Sequence, residues 1–185
     1  MSTYIAMLRG INVSGHKPIK MEVLRVSFEA LGFSDVSTYV QSGNVVFKAS
    51  KTSATALTEK ITKKLLDDFK YTIPVAVRTS KELDAVLKNN PFSKERGTNE
   101  GSLYVTFLSI AAPKGAEGLL KPLATASEQI FVDGREVYLY CPNGYGTTKV
   151  SNTAIEKKLL VQATTRNWRT VNALAKMAGD HEESN

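Results

Sequence analysis

The feature that most constrains this chain is a change of hydrophobic period that recurs in one order. Residues 4–8, YIAML, form an unbroken apolar run of strand length, and Met21, Leu24, Phe28 and Leu31 then recur at helical spacing before Gly32. DVSTYVQ and NVVFKA read as two strands joined by Ser42-Gly43, a turn whose glycine can take positive φ. Leu57, Ile61, Leu65 and Phe69 mark a second helix, and IPVAVR a fourth strand. The βαββαβ order is that of the split βαβ, ferredoxin-like sandwich, an antiparallel sheet backed by two helices.

From Thr79 onward the order begins again. TSKE reads as a capping box, with Thr79 accepting from the backbone and Glu82 reaching back, and Leu83, Val86 and Leu87 give the connecting helix its apolar stripe. After the polar loop SKERGTNEG, SLYVTFLSI restarts a strand and KGAEGLLKPL offers a short helix broken at Pro122. EQIFV and REVYLY flank Asp133-Gly134, a strong hairpin signal, and SNTAIEKKLL is helical again. VQATTR supplies a short last strand and NWRTVNALAKM a closing helix. The predicted fold is α+β: two ferredoxin-like (α/β-plait) subdomains over 1–79 and 102–179, each with an antiparallel sheet backed by helices. A connecting helix and loop fill 80–101, a C-terminal helix closes the second subdomain, and 180–185 form a polar tail. The two halves match in element order, which suggests internal duplication.

The first hairpin predicts a polar rim. With a two-residue turn, Gln41 faces Asn44, Val40 pairs with Val45 and Thr38 with Phe47 on the core face, and Tyr39 pairs with Val46 on the open face. In this topology the first two strands run parallel, so RGIN (Arg9 to Asn12) and QSGN (Gln41 to Asn44) emerge at one edge. Arginine and amide side chains gathered there suit a small anionic ligand bearing a phosphate or carboxylate. The candidate ligand residues are Arg9, Asn12, Gln41, Ser42 and Asn44, joined by Lys149 in GYGTTKVSN and by Arg166 and Asn167 in TTRNW. Each also has a structural reading: Asn and Gly favour turns, Thr165 is a good N-cap for the last helix, Ser151 or Asn152 caps the helix before it, and Trp168 is a core anchor.

Composition narrows the functional classes. The chain is 42% hydrophobic and 23% charged, an ordinary globular balance, and its apolar runs are far shorter than the roughly 20 residues a membrane helix needs. MSTYIAMLRG lacks the pattern of a secretory signal and Cys141 is the only cysteine, so a cytoplasmic location is expected. No metal site is expected from His16, His181 and Cys141, and no cofactor site, since no glycine-rich segment has the Walker spacing. Cys141, at a strand end, reads as an inert packing residue. The net charge of +6 is concentrated early, with 11 basic against 6 acidic residues over 1–79 and 13 against 12 over 80–185. Nonspecific nucleic-acid binding through that excess is one alternative function. The third strand, however, lacks the exposed aromatics of an RNA-recognition sheet. The other alternative is an enzyme of unstated reaction, with Arg9 or Arg166 holding an anion and Tyr145 or Lys149 carrying a proton.

The segments MLRGINVSGHKPIKMEVLRVSFEALGFSDVSTYVQSGNVVF and TTRNWRTV resemble the bacterial DUF1697 family, whose function is unknown. LRGIN-V-G, QSGN and T-RN are the hallmarks; TKVSNTAIEKKL is similar to the family pattern too, and the resemblance extends over essentially the whole chain. It implies a pair of α/β-plait subdomains, in agreement with the order read from the residues, and it implies no catalytic residue.

Overall fold

The computed structural model describes residues 1–183. β1 (Ser2–Leu8), α1 (Met21–Glu29), β2 (Ser34–Tyr39), β3 (Asn44–Ala49), α2 (Ala54–Phe69) and β4 (Val75–Thr79) lead into α3 (Ser80–Asn89). The same order returns in β5 (Leu103–Leu108), α4 (Ala116–Leu120), β6 (Gln129–Asp133), β7 (Glu136–Tyr140), α5 (Asn152–Leu159) and β8 (Ala163–Asn167), which leads into α6 (Trp168–Glu183). One sheet has the order β2-β3-β1-β4 and the other β6-β7-β5-β8, so the two agree strand for strand. Both are antiparallel and helix-backed, two ferredoxin-like subdomains with a C-terminal helix. Contacts gather into two compact units, Met1–Asp84 with the chain from Ala173 onward, and Ala85–Asn172. α6 continues through residues 180–183 of the expected tail; 184 and 185 lie outside the described residues.

In the first unit Tyr4, Ala6, Leu8, Val45, Phe47, Val75 and Val77 project from the sheet onto Leu24 and Phe28 of α1 and Leu57, Ile61 and Leu65 of α2. Each of the Val, Leu, Ile and Phe side chains among them, taken fully out of water, stabilises by about 1.5–3 kcal/mol. Phe47 centres the cluster, stacked on Phe33 at 4.5 Å and edge-on to Phe28 at 5.4 Å. α2 starts where Ser53 Oγ accepts from Ala56 N at 3.1 Å, and it stops where Lys70 turns left-handed. In the second unit Leu108, Val137, Leu139 and Ala163 pack with Leu120 of α4 and Ile155 and Leu159 of α5. The capping box of α3 forms as predicted: Glu82 N donates to Thr79 Oγ1 at 3.2 Å and Thr79 N to Glu82 Oε2 at 2.8 Å.

Four local expectations are corrected. The β2–β3 pairs are Tyr39 with Asn44, Thr38 with Val45 and Ser37 with Val46, two positions from the predicted register, and the turn is the four-residue loop Val40-Gln41-Ser42-Gly43. Close approach decides this: a Cβ on Gly43 would lie 2.7 Å from Ile11 Cδ1 and 2.8 Å from Leu8 Cβ, and Leu8 N donates to Gly43 O at 2.8 Å. Pinned to β1 in this way, the loop leaves Val40 exposed and outside the core. Second, the face carrying Ile5, Met7 and Val46 is buried, where an open face was expected; within the first unit, His181 of α6 reaches β2, its Nε2 3.1 Å from Ser37 Oγ. Third, the second hairpin pairs Asp133 with Glu136, so its turn is Gly134-Arg135, with Gly134 at φ 57°. Fourth, Thr165 lies inside β8, and α6 is capped by Asn167, whose Oδ1 accepts from Thr170 N at 2.8 Å. β2 also bulges between Ser34 and Ser37, with Asp35 at φ 49° and its carboxylate 2.9 Å from the buried Lys48 ammonium.

Candidate functional site

RGIN and QSGN do meet, and the meeting is made by Asn12. Its Nδ2 donates to Ile19 O and to Gln41 O, both at 2.8 Å, while its Oδ1 accepts from Ile19 N at 2.8 Å. Asn12 sits at φ 54°, a conformation that asparagine tolerates better than most residues. Asn44, fully buried, donates through Nδ2 to Tyr39 O and to Ser42 Oγ, both at 3.0 Å, and so closes the loop from inside. Both amides are committed to holding the loops of this rim. Arg9 is half-buried, with its N–H donating to Pro74 O at 2.9 Å; Gln41 and Ser42 are exposed on the loop.

Lys149, Arg166 and Asn167 belong to the other unit. Lys149 is exposed before α5, whose N-cap is Ser151, its Oγ accepting from Ala154 N at 3.2 Å. Arg166 is buried, donates through Nη1 to Thr165 O at 3.0 Å, and has its guanidinium pushed down to about 10 by desolvation. Arg78 occupies the same place in the first unit. It too is buried in the strand before a helix, with Nη1 donating to the preceding carbonyl, Val77 O, at 2.9 Å. The paired arginines therefore belong to the repeated architecture of the two units.

Asn167 opens onto a cleft of about 600 Å³ lined by Glu100, Gly101, Tyr104, Arg169 and Asn172. Three local structures build it. The turn Glu100–Ser102 is set by Asn99, whose Oδ1 accepts from Gly101 N at 2.9 Å. Tyr104 near the start of β5 and Asn167 at the end of β8 are cross-strand partners. The start of α6 then places Arg169 and Asn172 on the same wall, and the aligned peptide dipoles of the helix give that end partial positive charge. Asn172 Nδ2 donates to Trp168 O at 2.8 Å, an internal helix contact that fixes the amide.

Behind the cleft lies a chain of hydroxyls. The Tyr104 ring lies 5.2 Å from that of Tyr145, whose hydroxyl donates to Thr165 Oγ1 at 3.1 Å. Thr165 Oγ1 donates to Asn152 Oδ1 at 2.7 Å, so Thr106, also at 2.7 Å, must donate to Thr165. β5, β8, α5 and the turn Tyr145–Thr147 are thus tied at one oxygen. The proton-carrier candidate Tyr145 is a member of this tie.

Sequence reasoning placed Asn167 and Arg169 of the cleft in a polar cluster and missed Tyr104, Asn172 and Glu100 as residues lining it. A signal existed in the repeat: Thr79-Ser80-Lys81 and Asn167-Trp168-Arg169 each join the last residue of an equivalent strand to the start of an equivalent helix. Cys141 is buried, and burial raises its thiol to about 11, as suits a packing residue. Among the described residues no three His, Cys, Asp or Glu side chains come together to hold a metal ion, and no helix is long and apolar enough to cross a membrane.

No curated protein matches the sequence. A solved structure of a conserved bacterial protein from Streptococcus pneumoniae has the same fold, with a TM-score of 0.71 at 22% identity over 96% of this chain and 98% of that one. Residues 1–138 match the family described as "Protein of unknown function (DUF1697)"; TKVSNTAIEKKL and TTRNWRTV lie beyond the matched residues. With three quarters of its length matched, this chain belongs to the DUF1697 family.

Proposed function

We propose that the protein binds a small molecule bearing one carboxylate or phosphate and a flat ring, in the cleft lined by Tyr104, Asn167 and Arg169. The observation that carries this reading is the convergence of those residues, from β5, β8 and α6 of one unit, on a space of about 600 Å³. That volume is in the range of small-molecule pockets, about 300–1,000 Å³. Arg169 offers a planar fork of donors for an oxyanion, reinforced by the N-terminal end of α6. Tyr104, braced by the Tyr145 ring, offers an aromatic face. Glu100 on the same cleft opposes a bare polyanion and favours a ligand that also carries an amine or hydroxyl donor.

The test is calorimetric titration of the full chain with nucleoside monophosphates and with aromatic amino acids. Saturable binding is expected for at least one of these classes, weakened about tenfold or more by Arg169→Ala and by Tyr104→Ala, with unchanged melting temperatures. Absence of saturable binding by both classes, or equal affinity in wild type and Arg169→Ala, would overturn it.

A further inference from the structure

The cleft beside Tyr104 has a counterpart in the first unit. Tyr4 and Thr79 are cross-strand partners on β1 and β4, just as Tyr104 and Asn167 are on β5 and β8, and each pair lies where the last strand enters a helix. Around Tyr4 and Thr79 is a cleft of about 500 Å³ whose walls include Thr3, Lys51, Thr52, Ser80 and Lys81.

Its chemistry differs from that of the other cleft. Tyr4 is buried, and its hydroxyl is engaged by Thr52, donating to the carbonyl at 3.0 Å and accepting from the N–H at 3.1 Å. No aromatic face is offered for stacking. Among the described residues two lysines line the space and no carboxylate does; the nearby Glu82 carboxylate is held by the N–H and hydroxyl of Thr79 at 2.8 and 3.1 Å. Thr3 is only 4% exposed and lines the cleft. A hydroxyl on the wall of a cleft can donate to an oxygen bound there.

We propose that this cleft is a binding site for a compact oxyanion of the phosphate class. The ammonium groups of Lys51 and Lys81 supply the charge, and the Thr3 hydroxyl donates to a ligand oxygen. Lysines act here as point charges, which suits a tetrahedral anion better than a planar one. The site shares no residue with the cleft of the second unit, so either assignment can fail alone.

The experiment is a titration of the ¹⁵N-labelled full chain with inorganic phosphate, followed through backbone amide shifts. Saturable shifts are expected around Thr3, Thr52, Ser80 and Lys81. The Lys51→Ala/Lys81→Ala double variant should weaken binding about tenfold or more, and Lys51→Arg/Lys81→Arg should retain it. Thr3→Val should leave the protein folded, with its amide spectrum otherwise unchanged, while weakening phosphate. Linear shifts, shifts centred on other residues, or equal affinity in the double alanine variant would overturn the proposal. Loss of the phosphate response in Arg169→Ala would do so too, by moving the anion to the second unit. Undiminished affinity in Thr3→Val would overturn the part assigned to that hydroxyl.

Discussion

Asn12 and Gln41, 29 residues apart, are joined by one hydrogen bond of 2.8 Å, from the side-chain amide of the first to the backbone carbonyl of the second. The same amide group bridges Ile19 in both directions, so one side chain holds two loops at the end of the first sheet. Replacing it leaves a half-buried backbone N–H and two carbonyls to be satisfied by water. Asn12→Ala is expected to destabilise by about 1–3 kcal/mol. Chemical denaturation should show a lower midpoint with an unchanged slope; a midpoint equal to that of wild type would remove Asn12 from this role.

Gly43 is the second support of that rim. Alanine there meets both a left-handed φ of 81° and side-chain carbons of Ile11 and Leu8 closer than 3 Å. Gly43→Ala should cost more than about 2 kcal/mol, the conformational penalty adding to overpacking. Gly10→Ala, at φ 72° in open space, should cost only the conformational part. Thermal melts of the two variants test the ordering, which is refuted if Gly10→Ala is the more damaging.

The hydroxyl chain in the second unit predicts a non-additive pair. Thr165→Val strands the hydroxyls of Thr106 and Tyr145 and the carbonyl oxygen of Asn152, for an expected loss of about 1–3 kcal/mol. Thr106→Val in the same chain should add little, since one of the stranded groups is then gone. A double-mutant cycle measures the coupling; strictly additive losses would mean that the two hydroxyls do not share a proton.

Asp35 and Lys48 give the acid limb of stability a defined sign. The hydrogen bond from Lys48, and then its charge, hold the Asp35 carboxyl below the usual carboxylate range. A carboxylate depressed by folding stabilises above its unfolded pKa, and that contribution is lost as pH falls through the folded value. Asp35→Asn should therefore be less stable than wild type at neutral pH, where it removes the carboxylate charge that Lys48 holds at 2.9 Å, and should converge on wild type in acid. Melting temperatures measured from pH 7 to 3 test this, and parallel curves would contradict it.

Cys141 supplies a probe of opening. Its thiol is buried and raised to about 11, so alkylation at pH 8 should be slow in the native protein and rapid in denaturant. Fast native alkylation would place Cys141 in a mobile segment.

What the sequence determined by itself was element order and the core face of each element. The stripe of Leu24 and Phe28, the stripe of Leu57, Ile61 and Leu65, and the Thr79–Glu82 cap are local patterns whose periods and spacings have one favourable reading. The register of β2 on β3 was not legible, because sliding by two positions keeps every side chain on its own face, and Thr38 and Val45 satisfy the alternation either way. Contact with β1 decides it, through the fit of Gly43 against Leu8 and Ile11. The two clefts were hidden for the same reason. Tyr104 and Asn167, or Tyr4 and Thr79, become neighbours only when the first and last strands of a unit pair, and no short-range pattern in a chain reports a distance set by its sheet.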